Sequence, residues 1–318
     1  MSSVGLVLGG GGVTGAAFHF GALLALEMAT GWDPNDADVV IGTSSGAVVT
    51  AVVRSGALDL DALVGEARGH EELARSLSER IYRRAAPTGL MRWVRRGILP
   101  AVRRPGIQVT VGSPAPYTTA GIVEWLRVET GTSLDAWPNR PTVIVAYEIE
   151  SRARVAFGTE GSPDVSLAAA VAASAAVPMV FQPVAIDGRH YADGGVASGT
   201  SADLVLGSAE PLDLLIVIAP MASLENRRGA RFYEGVVDRL GAQALGAELD
   251  RIGAEWPDTD VVVLRPDTGV LEHTRPNPLS TSAAVPAFLS TLQAMQTRLA
   301  DPEVWAALER HLGSPTRA

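Results

Sequence analysis

The 318-residue chain has no cysteine and no lysine. Without cysteine there are no disulfides and no thiolate metal ligands. Without lysine, arginine carries all 26 positive charges, a habit of GC-rich coding sequence more than a mechanism. Aromatic residues are scarce at 5%. Long apolar runs are missing too. The longest, Val165 to Phe181, is broken by Ser166, Ser174 and Pro178, which makes it too short to span a bilayer and suits a buried helix. The apolar start lacks a basic flank and runs into glycines, so no secretory leader is read there and a cytoplasmic location is expected. What is present is a hydrophobic share of 47% and a net charge of −9. That is enough to bury one large α/β core.

Five residues carry most of the chemistry: Gly42-Thr43-Ser44-Ser45-Gly46. They follow the β-branched run Asp38–Ile41 and precede a small-residue helical run, Ala47 to Arg54. A Gly-x-Ser-x-Gly turn between a strand and a helix is the context of a nucleophile elbow. The flanking glycines Gly42 and Gly46 remove side chains that would clash. The Ser44 hydroxyl is expected to stand exposed at the start of a helix, where backbone N–H groups favour negative charge.

Upstream, the strand-like Gly5–Leu8 enters Gly9-Gly10-Gly11-Gly12-Val13-Thr14-Gly15, and a helical pattern follows. Bare amides at a helix start bind anions. Gly10-x-Gly12-x-x-Gly15 matches a dinucleotide fingerprint, and the same amides suit the oxyanion of an attacked ester. A dinucleotide site wants an acid at the end of the second strand. Here that strand ends in Ile41-Gly42 and enters the serine turn, while Asp33, Asp36 and Asp38 lie at its other end. The order favours the oxyanion, with Gly10, Gly11 and Gly12 as donors.

A serine nucleophile needs a base. Of the five histidines, His273 is the one placed late on a loop, as a triad would have it. His311 reads as a solvated helix face and His19 as packing. Asp193 is the better candidate. Val184–Tyr191 reads as a hairpin with an Asp187-Gly188 turn, and its second strand delivers Asp193-Gly194-Gly195. Asp187 has a turn to make, whereas Asp193 has none. Gly194 and Gly195 allow close backbone approach beside it.

The glycine loop, the Gly-x-Ser-x-Gly elbow and the late Asp-Gly-Gly together resemble the patatin-like phospholipases. So does the run Ala172–Pro178 with Phe181 and Pro183. The resemblance covers residues 4–56 and 165–206. It implies a three-layer α/β/α sandwich with a largely parallel central sheet, and a lipid acyl hydrolase with a Ser44–Asp193 dyad needing neither metal nor cofactor. By it, Gly10, Gly11 and Gly12 form the oxyanion hole. One departure is Thr14, where the family usually has Arg or Lys. Alternatives remain open: an acyltransferase using the same acyl-enzyme, a dinucleotide-binding protein, or an inactive membrane-docking module.

Alternating strands and helices also argue for a largely parallel sheet covered on both faces. One domain over 1–318 is expected, with a helical insert at about 58–117. Within that insert, Arg80 to Arg104 carries eight arginines and no acid, interleaved with Leu90, Met91, Trp93, Ile98 and Leu99. Such a segment suits a solvated helix face, a docking surface for anionic lipid, or, less readily, nucleic acid. A single closing helix is expected from Thr281 to His311.

Overall fold

The computed structural model describes residues 2–58, 69–86, 88–99, 102, 109–230 and 234–313. Its first strand, β1 (Val4–Leu8), is buried at every position. A strand covered on both faces must be apolar throughout, and Val-Gly-Leu-Val-Leu is. It lies between β2 (Val39–Thr43) and β9 (Leu214–Ile218), parallel to both, and β10 (Asp260–Leu264) continues the parallel order beyond β9. On the other side β2 pairs in parallel with β5 (Thr142–Glu148). Three further strands, β6 (Ala153–Phe157), β7 (Val184–Ile186) and β8 (Arg189–Asp193), add antiparallel. The eight-stranded sheet reads β10-β9-β1-β2-β5-β8-β7, with β6 on β5. The short strands β3 (Arg83–Arg84) and β4 (Tyr117–Thr118) pair with each other, apart from it.

Side-chain alternation sorts the helices into layers. One face presents Leu6, Leu8, Val40, Ile216, Ile218 and Val262 to α1 (Gly12–Thr30) and to two late helices. The same face continues through Ile144 and Ala146 to α2 (Ser45–Arg54) and to the helices Ala120–Thr130 and Leu167–Ser174. The opposite face presents Val7, Ile41, Val145 and Val217 to Leu245 and Ile252 of the long helix Glu234–Glu255 and to Trp256 just after it. The result is the three-layer sandwich with a mostly parallel sheet.

Among the described residues, α1 alone is long and apolar enough to cross a membrane. Its Phe18, Ala22, Leu23 and Leu26 are fully buried in the core. Gly31 ends it in the left-handed conformation (φ 73°), returning its N–H to the Glu27 carbonyl, a glycine stop.

The closing helix is two helices, Ala284–Leu299 and Pro302–Leu312. Asp301 accepts N–H bonds from Glu303 and Val304, and Pro302 opens the second helix, the ordinary signature of a fresh start. A further helix, Thr268–Thr274, was not apparent in the sequence pattern. The apolar run from Val165 is helical from Leu167 to Ser174, started by the Ser166 side chain accepting the Ala169 N–H. In the insert, the arginines are spread over several elements. Arg80 lies on helix α3 (His70–Ile81), and Arg83 and Arg84 make up β3. Arg92, Arg95 and Arg96 fall in the helical stretch from Leu90 to Ile98. Arg103 and Arg104 lie outside the described residues.

Candidate active site

Ser44 sits between β2 and α2 at φ 56°, ψ −119°, a conformation that side chains rarely adopt and that persists only where the surroundings enforce it. The enforcement is visible. A Cβ at Gly46 would lie 1.9 Å from the Leu8 carbonyl oxygen, so helix α2 passes the end of β1 closely because that residue is glycine. The Ser44 N–H donates to Ser174 Oγ at 2.9 Å, and that hydroxyl donates to the Val145 carbonyl at 2.5 Å. Ser174 thus ties the elbow to β5. The sequence signalled it only as a polar break in an alanine-rich run. Gly42 is just as tightly held, since a Cβ there would meet Thr50 Oγ1 at 2.4 Å.

Asp193 reaches Ser44 through strand register. Thr43, at the end of β2, pairs opposite Val145 of β5. Asp193, at the end of β8, pairs opposite the next residue, Ala146. Because β6 occupies the other edge of β5 over the same stretch, β2 and β8 share one edge and meet end to end. The Ser44 hydroxyl donates to Asp193 Oδ2 at 2.6 Å, and the Gly195 N–H donates to Oδ1 at 2.7 Å. Gly194 makes the junction possible, since a Cβ there would be 2.3 Å from the Val145 oxygen. Both partners are buried, Ser44 at 6% exposure and Asp193 at 5%. The hydroxyl is therefore not on the exposed turn that the sequence suggested. Burial pushes the Asp193 carboxyl up to about 6, against the lowering effect of the Ser44 and Gly195 hydrogen bonds.

The glycine loop lies against the serine. A Cβ on Gly10 would come within 3.2 Å of the Ser44 Cβ. The three candidate donors differ. The Gly10 N–H donates to the Gly199 carbonyl at 2.7 Å, whereas the Gly11 and Gly12 N–H groups have no protein acceptor among the described residues. The Thr14 N–H and hydroxyl both donate to the Pro278 carbonyl, at 3.0 and 3.3 Å. Where the family pattern has a cation, this chain fastens a C-terminal segment.

No histidine hydrogen-bonds Ser44 or Asp193 among the described residues, although His70 lines the cavity on which Ser44 opens. His273 is exposed on its helix. His311 pairs with Asp260, at the amino end of β10, with Nε2 2.8 Å from the carboxylate, so it is an anchored side chain and not a solvated face. His19 is fully buried, with Nε2 2.6 Å from the Gly9 carbonyl oxygen, and burial lowers it to about 4, so it is neutral and donates there.

Ser44 and Ser45 open onto a cavity of about 390 Å³. Its wall is carbon: Phe20 and Val48, Leu73 and Leu77 of α3, Trp125, and Phe288 from the C-terminal part. Tyr82 stacks on Phe181 at 5.8 Å between ring centres, and its hydroxyl donates to the Leu279 carbonyl at 2.5 Å. Among the described residues no cluster of side chains is suited to a metal ion.

No curated protein matches the sequence. Several solved structures resemble it, three of them as follows. VipD from Legionella pneumophila is 14% identical, covering 93% of this chain and 67% of its own, at a TM-score of 0.39. Human GIVD cytosolic phospholipase A2, solved with methyl gamma-linolenyl fluorophosphonate, is 10% identical, covering 98% and 60%, at 0.42. ExoU, from the ExoU–SpcU complex of the Pseudomonas aeruginosa type III secretion system, is 18% identical, covering 98% and 57%, at 0.33. The chain therefore spans between 57% and 67% of the length of these proteins. The family model described as patatin-like phospholipase matches residues 6–206. That segment holds the glycine loop, the serine elbow and Asp193, and the chain belongs to the patatin-like phospholipase family of lipid acyl hydrolases.

Proposed function

We propose that this chain hydrolyses carboxylic esters of lipids, with Ser44 as nucleophile and Asp193 as base. The observation that carries the reading is the 2.6 Å bond from the Ser44 hydroxyl to a buried carboxylate, at the head of an apolar cavity. Ser44 Oγ attacks the acyl carbonyl carbon as its proton passes to Asp193 Oδ2. The amides of Gly11 and Gly12 stabilise the oxyanion. Gly10, whose N–H is engaged elsewhere, holds the loop in place. The tetrahedral adduct collapses, the C–O bond to the alcohol breaks, and the alcohol oxygen takes the proton from Asp193. Water then attacks the acyl-enzyme, giving its proton to Asp193, and the acid leaves as Ser44 is reprotonated. The cavity holds the acyl chain by burial, worth about 0.8 kcal/mol per methylene removed from water.

The test is a panel of lipid and soluble esters, run on the wild type and Ser44→Ala, with a fluorophosphonate probe and with and without an alcohol acceptor. Ser44→Ala is expected to lose at least about a thousandfold in kcat together with all labelling. Wild-type turnover in that variant would end the reading. Product esters formed from the added alcohol would make the enzyme a transferase.

We further propose that the insert meets anionic lipid. Leu90, Met91 and Leu99 are 63%, 72% and 58% exposed, and Arg95 and Arg96 between them are exposed too. Trp93 is anchored within the insert, its Nε1–H donating to the Val109 carbonyl at 2.7 Å. Replacing Arg95 and Arg96 by glutamine should weaken binding to anionic vesicles by about 1 kcal/mol per charge and leave hydrolysis of a small soluble ester unchanged. Equal binding of both proteins to anionic and neutral vesicles would remove the lipid surface from the account.

A further inference from the structure

Glu248 lies on the helix Glu234–Glu255, beyond the segment that matches the family model, and it is buried at 8% exposure. A buried carboxylate without full satisfaction is costly, and this one is fully used by a single loop. The Ser198 hydroxyl donates to its Oε1. The Thr200 hydroxyl donates to Oε2 at 2.6 Å, and the Ala202 N–H donates to the same oxygen at 2.8 Å. Ser198 Oγ in turn accepts from the N–H groups of Thr200 and Ser201, at 3.3 and 3.0 Å.

That loop runs on directly from Asp193-Gly194-Gly195, and it touches both other parts of the site. The Gly199 carbonyl accepts the Gly10 N–H at 2.7 Å, and the Thr200 carbonyl accepts the Thr43 hydroxyl at 3.4 Å. One loop therefore carries the base at its start, holds the glycine loop in its middle and abuts the strand that ends in the nucleophile.

We infer that Glu248 is a positioning residue for catalysis: by fixing residues 198–202 it sets where the glycine-loop donors stand relative to Ser44. The inference rests on the Ser44 acyl-hydrolase reading for its kinetic part. Its physical content is the charge and acceptor count of the carboxylate. Glutamine has the same shape but only one acceptor oxygen. If that oxygen stays with the fixed Ala202 N–H, its NH₂ group faces Ser198 Oγ, both of whose lone pairs are already engaged. The array cannot re-form around an amide.

The experiment compares wild type, Glu248→Gln and Thr200→Val. Hydrogen exchange is followed in peptides covering residues 8–13 and 197–203. Fluorophosphonate titration gives the fraction of reactive sites, and kcat and KM are measured on a soluble ester. In Glu248→Gln, exchange in both peptides should rise, and kcat per titrated site should fall ten- to a hundredfold with KM within twofold. The acid limb of the pH profile should stay in place, because Asp193 keeps its own partners. Thr200→Val should show the same pattern more weakly, and it decides the matter if Glu248→Gln does not fold. A folded Glu248→Gln with wild-type kcat per site and unchanged exchange would overturn the inference. So would a loss confined to the fraction of titratable sites, since that marks a merely structural carboxylate. If Ser44→Ala keeps full activity, the hydrolase reading fails, and the exchange data still decide whether Glu248 holds the glycine loop.

Discussion

At the scale of the residue, the site stands on one buried acid with two donors. Asp193 receives the Ser44 hydroxyl and the Gly195 N–H and nothing else among the described residues. Burial raises its carboxyl to about 6, and the working form of a base is the deprotonated one. The rate should therefore fall as pH drops through about 6, with a plateau above. The kcat/KM profile of a soluble ester checks this, and an acid limb centred near 4 would mean that the free enzyme's base is solvated. The stability effect has the opposite sense. The native carboxyl binds its proton more tightly than the unfolded one, at 3.8. The native state thus holds more protons between the two values, and this group's contribution weakens as pH rises through that window. Asp193→Asn should be inactive yet melt higher than wild type at pH 8, with the gap closing toward pH 4.

At the scale of the element, the elbow was legible because its requirements are local. A β-branched run, two glycines and a small-residue helix name a strand, a turn and a helix in adjacent residues. The hairpin that delivers Asp193 was legible for the same reason. Ser174 and Glu248 were not, because a lone serine in an alanine-rich helix and a lone glutamate on a polar helix have many ordinary uses. Their roles exist only through partners 130 and 46–50 residues away. The break at Asp301-Pro302 was legible in principle, since an acid before proline is a helix start, and the apolar spacing on both sides hid it. Gly46 offers an element-level test. Alanine there would force helix α2 off the end of β1, because the new Cβ would meet backbone oxygen at 1.9 Å. We expect a loss of about 3 kcal/mol by overpacking, read by chemical denaturation, and loss of fluorophosphonate labelling. Gly207→Ala, whose Cβ would meet nothing within 4 Å, is the control and should be near neutral. A tolerated Gly46→Ala would mean that the helix has room to move.

At the scale of the whole molecule, the matched segment 6–206 holds every residue of the proposed catalytic machinery but is structurally open. Strand β1 pairs over five residues with β9, and β9 begins at Leu214. The cavity wall needs Phe288, and the loop after Asp193 needs Glu248. A chain ended after residue 206 should leave β1 as an apolar edge, aggregate on expression and fail to react with the probe. A soluble, reactive fragment would show that the late helices are dispensable.

The end-to-end meeting of β2 and β8 on one edge of β5 has a consequence for folding. Ser44 and Asp193 are 149 residues apart, yet they occupy neighbouring rungs of the same ladder. Slipping β8 by one residue would carry the carboxylate about 3.3 Å along the strand and turn it to the other face of the sheet. A slipped molecule would keep its helices and much of its core but lose the carboxylate proposed as its base. With Ser44 as the proposed nucleophile, its phosphonylation becomes a fidelity reading for sheet closure: during refolding it should lag the recovery of helix, because it reports a pairing across 149 residues rather than the amount of structure formed.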